Sequence, residues 1–167
     1  MATLRAQDRL QPALLDRLTD EEPTAASESG ESRVINRNRM RELVLRDLAW
    51  LFNATAPGAS SVDWSRAEHA RNSVLNYGLP ALSGQTASTI DPLLLQARVK
   101  QAILDHEPRI LPESLTVEVI ISETQLDHHN QIGFRITGQL WAQPVPLELL
   151  LQTDIDLETG RVAVREL

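Results

Sequence analysis

Apolar and polar positions keep a helical period through the first part of the chain and then switch to strict alternation. Met40, Leu43, Val44, Leu48, Leu51 and Phe52 recur at the spacing of one helix face, which predicts a helix over 36–52. Arg33, Arg37, Arg39, Arg41 and Arg46 cluster around that stripe, either as a solvated face or as a patch for an acidic partner. Trp64, Ala67, Ala70, Val74 and Leu75 predict a second helix over 64–76 with Asp63 as its N-cap. The run Tyr77-Gly78-Leu79-Pro80 predicts a turn, because glycine admits unusual φ and proline blocks a helix, and its neighbouring leucines pin it to the core. Asp91-Pro92 is an N-cap followed by proline at the first helical position. The helix it opens buries Leu95, Val99, Ala102, Ile103 and His106, and Pro108 ends it at Glu107.

From there the period is two. Stretches 115–121, 132–140 and 147–157 each place apolar side chains on one face and mostly polar ones on the other. Glu158-Thr159-Gly160 reads as a turn into a fourth strand through Val162 and Val164. The fold class that follows is α+β, with about three helices packed on one face of an antiparallel sheet of about four strands. The last strand is expected at a sheet edge, where Arg161, Arg165 and Glu166 either guard it or tune an intended strand addition.

Before the first long helix, Leu10, Leu14 and Leu18 stand at i, i+4 and i+8, with Leu15 alongside. They predict a short amphipathic helix. Residues 20–32, DEEPTAASESGES, carry no large apolar side chain and read as a flexible acidic linker. The chain thus divides into a tethered peptide and linker, 1–32, and an α+β domain, 33–167. The peptide has two destinations, a partner or its own domain, and composition does not choose between them.

The composition narrows the function classes. Aromatics are 4% and apolar residues 42%, so the core is mainly aliphatic. A formal charge of -7 argues against a dedicated nucleic-acid binder. With no cysteine there is no disulfide, thiol nucleophile or cysteine-held zinc. The start MATLRAQDRL lacks a secretory apolar region, and no apolar run reaches the length of a membrane span. These features lead to the expectation of a soluble, cytoplasmic protein without direct membrane insertion.

Catalytic chemistry is hard to find. There is no phosphate loop, no G-x-S-x-G and no H-E-x-x-H. His128 and His129, in DHHN, read as part of a hairpin loop rather than a metal site, which needs several converging ligands. A glycosidase needs two carboxylates across a cleft, one of them held protonated. Glu107 is the candidate acid, with Asp105 and Glu113 nearby, but Arg109 would keep it ionised. No catalytic residue, metal or cofactor is expected, and a peptidoglycan hydrolase is the alternative kept.

One short stretch asks for a role. In DHEPRILPESL, 105–115, two prolines stiffen the chain around Glu107-Pro108-Arg109. In an extended segment Glu107 and Arg109 project to one side. The pair is either an internal brace or a docking corner for a partner's carboxylate or carbonyls.

The stretches LLDRLTD (14–20), RDLAWLFN (46–53), SVLNYGLP (73–80), EPRI (107–110) and GQLWAQPVPLELLLQTDIDLETG (138–160) together resemble the TssE family. These are baseplate components of type VI secretion systems, related to a wedge protein of contractile phage tails. The resemblance implies a non-enzymatic structural role beside TssF, TssG and TssK, in an apparatus anchored to the inner membrane through partners. It implies that Glu107, Pro108 and Arg109 contact the wedge core. It also implies that the edge hairpin, with Val162, Ala163, Val164 and Arg165, templates the first TssB–TssC sheath ring. Leu10, Leu14, Leu15 and Leu18 remain the candidate docking peptide. Some relatives have carried a lysozyme label, which the carboxylate chemistry does not support.

Overall fold

The side chain of Asn36 accepts the Arg39 amide at 2.8 Å and so opens the first long helix. The computed structural model describes residues 13–19, 23–24, 35–57, 62–86, 89–120, 130–142 and 145–167. Its elements begin with a short helix α1, Leu14–Leu18, and the long α2, Arg37–Asn53. A 3-10 turn, Trp64–Arg66, a single turn α3, Glu68–Arg71, and a second 3-10 turn, Val74–Asn76, follow. Then come α4, Pro92–His106, a 3-10 turn, Pro112–Ser114, and strands β1, Thr116–Ile120, β2, Gln131–Leu140, β3, Leu147–Asp156, and β4, Val162–Glu166.

The alternation becomes an antiparallel meander with spatial order β1-β2-β3-β4. Val117 faces Ile136, Ile136 faces Leu151, and Ile155 faces Val162. One face is therefore continuous and apolar, and α2 and α4 pack on it, α2 toward β4 and α4 toward β1. The core they close includes Val44, Leu48, Ile103, Phe134, Ile136 and Leu151, all fully buried. The α+β architecture read from the periodicity is the one observed, and the sheet's other face stays polar and open to water.

The stretch 64–76 departs from expectation. Asp63 does cap its start, accepting the Ser65 amide at 3.1 Å. The helix then breaks into three short turns, and Val74 and Leu75 are 80% and 67% exposed rather than facing the core. Ser73 is the physical reason. Its hydroxyl bonds back to the Ala70 carbonyl, and it accepts the Leu75 amide, closing one turn and opening another. The next turn behaves as read. Gly78 has φ +120, and a Cβ there would lie 2.3 Å from the Ala54 carbonyl oxygen. Leu79 exchanges backbone hydrogen bonds with Ala54 and Ala56, so the turn is laced to the end of α2 with Leu79 and Leu82 buried.

Candidate docking surfaces

Glu107 caps α4 with its amide still bonded to Ile103 at 2.8 Å, and its backbone then turns to φ -122, as Pro108 demands. The corner is a turn rather than an extended segment. The Ile110 amide returns to the Glu107 carbonyl at 3.2 Å, with proline at the second position, where its fixed φ suits the turn. Two further bonds fasten it to the end of β2, Leu111 N–H to Gln139 at 2.8 Å and Trp141 N–H to the Arg109 carbonyl at 2.7 Å.

That turn brings the two charged side chains together. Arg109 donates from Nε to Glu107 Oε1 at 2.7 Å and from Nη2 to Oε2 at 2.5 Å, a two-pronged fork. Its backbone amide adds a third bond to Oε1 at 3.1 Å. The Glu107 carboxylate is only 3% exposed. Arg109 Nη2 also reaches Asp47 on α2 at 2.5 Å, and the opposite oxygen of Asp47 takes Arg46 at 2.7 Å. Arg46 in turn holds Asp16 of α1 at 2.6 Å and lies over the Trp50 ring at 4.7 Å. The result is a chain of alternating charge, Glu107–Arg109–Asp47–Arg46–Asp16, that ties three pieces of sequence together.

The electrostatics follow from that chain. Burial works against the Arg109 charge, but Glu107 and Asp47 outweigh it, and the guanidinium pKa is raised. Arg46 is raised by its hydrogen bond to Asp16 against a smaller burial effect, with Asp47 assisting. Tyr77, edge-on to His106 at 5.2 Å, is raised by burial and then by the negative charges of Asp47 and Glu107. Glu107 and Arg109 are therefore joined to the fold as a brace, and the corner's accessible surface is supplied by neighbours such as Trp141, 55% exposed. Both Glu107 oxygens are occupied by Arg109, so this carboxyl is poorly placed to protonate a leaving group.

The candidate docking peptide divides. Leu10 lies outside the described residues, as do His128 and His129. Leu14, Leu15 and Leu18 sit on α1 and are 70%, 50% and 74% exposed, so the helix meets its own domain through Asp16 and turns its leucines outward. Part of the arginine cluster works internally as well. Arg41 donates to the Glu148 carbonyl at 3.2 Å and lies 3.7 Å from Glu166, while Arg39 pairs with Glu42 at 3.2 Å.

At the other end of the sheet, β4 pairs only with β3 among the described residues and forms the edge of the four-stranded order. The direction of its backbone groups is fixed by parity. In an antiparallel pair a residue either bonds to its neighbour strand through both groups or points both away. Arg161 C=O bonds to Asp156 at 2.9 Å and Leu167 N–H to Leu150 at 3.0 Å, so the odd positions face β3. Val162, Val164 and Glu166 consequently face outward. Val162 is sealed, because the Asn53 side chain accepts its N–H at 3.1 Å and donates to its C=O at 2.9 Å. The outward groups of Val164 and Glu166 have no partner among the described residues. On the polar face, Arg165 pairs with Asp154. Sequence reasoning missed Asp47 and Asn53. Each sits on α2 and has a partner far along the chain, Arg109 for Asp47 and Val162 for Asn53.

Residues 38–145 match the family model described as baseplate wedge protein gp25. The chain belongs to the baseplate wedge protein gp25 family. The match runs from α2 through the charged corner and the first two strands, and stops just before β3. Membership in the gp25 wedge family agrees with the resemblance read from the sequence motifs and gives a structural, phage-tail-like baseplate role. No curated protein and no solved structure matches the chain. No helix among the described residues is long and apolar enough to cross a membrane.

Proposed function

We propose that this chain is a non-enzymatic baseplate subunit of a type VI secretion system, working in the cytoplasm at an apparatus anchored to the inner membrane. In this reading the surface built on Glu107, Pro108 and Arg109 docks on a wedge core of TssF, TssG and TssK. The edge strand with Val162, Ala163, Val164 and Arg165 receives the first TssB–TssC sheath subunits. The observation that carries the reading, beside family membership, is the run of outward backbone groups at Val164 and Glu166 with no partner among the described residues. An open strand edge is a template for another strand, and this one is left open by a fold that seals the adjacent Val162.

The corner is tested on its exposed rim, since the buried fork holds the fold. Trp141→Ala removes a half-exposed ring from the residue whose backbone amide bonds to the Arg109 carbonyl, and should leave melting close to wild type. Co-purification with TssF–TssG–TssK should fall at least about tenfold, the loss expected of an aromatic anchor. Undiminished capture by a well-folded Trp141→Ala would remove the corner from the docking surface.

A further inference from the structure

We propose that Asn53 is a register stop, confining strand addition at β4 to the run that begins at Val164. The inference rests on the strand-addition reading and adds what sets the frame. Edge pairing is prone to slippage, because a strand can shift along its neighbour and still make ladder bonds, and a shift by one residue puts every side chain on the wrong face. At Val162 an incoming strand would have to displace two bonds of ordinary length from the Asn53 amide, so pairing there exchanges bonds rather than adding them. At Val164 and Glu166 the same strand satisfies groups that have no partner among the described residues.

Helix α2 delimits the slot. Arg41, Leu45, Ala49 and Asn53 stand at i, i+4, i+8 and i+12, one line along the helix that packs beside β4. Asn53 occupies the Val162 end and Arg41 lies by Glu166 at the other. Between them Leu45 and Ala49 are half-buried. The occupant that fits is an extended segment of a partner chain, with an apolar side chain turned toward Leu45 and Ala49.

Residue-resolved amide exchange on the full chain, alone and with the TssB–TssC heterodimer as probe, tests this. In the free chain Val162 should exchange at least about tenfold more slowly than Val164 and Glu166. The probe should slow Val164 and Glu166 and leave Val162 unchanged. In Asn53→Ala, Val162 should exchange faster in the free chain and become protected when the probe is added. Asn53→Ser, a milder truncation, should give the same gain, so the test survives if the alanine variant unfolds. If Val164 is unmoved by the probe, strand addition itself fails. If Val164 is protected but Val162 never responds in either Asn53 variant, the register stop fails and strand addition stands. Protection of Val164 that grows with concentration of this chain alone would assign the edge to a second copy and overturn the partner segment.

Discussion

Arg109 carries the most consequence of any single side chain. Its fork satisfies a Glu107 carboxylate that is almost wholly buried, and it crosses to Asp47 on another element. Removing one partner of a buried pair leaves the other charge uncompensated, which costs roughly 3–5 kcal/mol. Arg109→Ala should therefore destabilise the chain by about that amount in urea unfolding. Arg109→Lys should lose less, keeping the charge but not the two-pronged geometry. A cost below about 1 kcal/mol for Arg109→Ala, the value of an exposed pair, would contradict the brace. Asp156 makes a second prediction. Hydrogen bonds from Thr159, then from Glu158, hold its carboxyl below the ordinary 3.8. A lowered folded-state pKa contributes stability that is present above the unfolded value and lost as pH falls through the folded one. Amide protection at Glu158 and Thr159 should decline below about pH 4, and this acid step should be absent in Asp156→Asn.

At the scale of elements, the chain is legible wherever a period is long. The stripe of α2, the stripe of α4 that follows its Asp91-Pro92 start and the alternation of β2 and β3 each repeat one instruction along elements of ten or more residues. The stretch 64–76 was not legible, because its apolar spacing is short and Ser73 competes for backbone bonds within it. The brace was half legible. Pro108 and the charges beside it marked a rigid corner, but nothing local to 105–115 points to Asp47, 62 residues away. The same limit hid Asn53, whose bonds span 109 residues. The lacing of the 77–80 turn to α2 gives an element-scale prediction. A methyl group at Gly78 would strike the Ala54 carbonyl in a backbone conformation that alanine rarely adopts. Gly78→Ala should cost roughly 1–3 kcal/mol in thermal or urea unfolding, and more than Gly84→Ala, where φ +79 also strains an alanine but a Cβ meets nothing within 4 Å.

As a whole molecule, the chain holds its two candidate surfaces at opposite sides of one sheet, with α2 serving both. Asp47 in the middle of α2 reaches the corner at the β1–β2 side, while Asn53 and Arg41 frame β4. That arrangement suits a subunit that grips a wedge and presents a strand edge in fixed relation to it. The most direct measurement is sheath growth from TssB–TssC, seeded by TssF–TssG–TssK carrying either wild type or Val164→Pro. Proline there removes an outward N–H and no ladder bond, so folding and wedge capture should persist. Ala163→Pro, which removes an inward N–H, is the destabilised control. Loss of sheath growth in the folded, wedge-bound Val164→Pro variant is the result predicted. Sheath growth equal to wild type would show that the open edge of β4 is not the template.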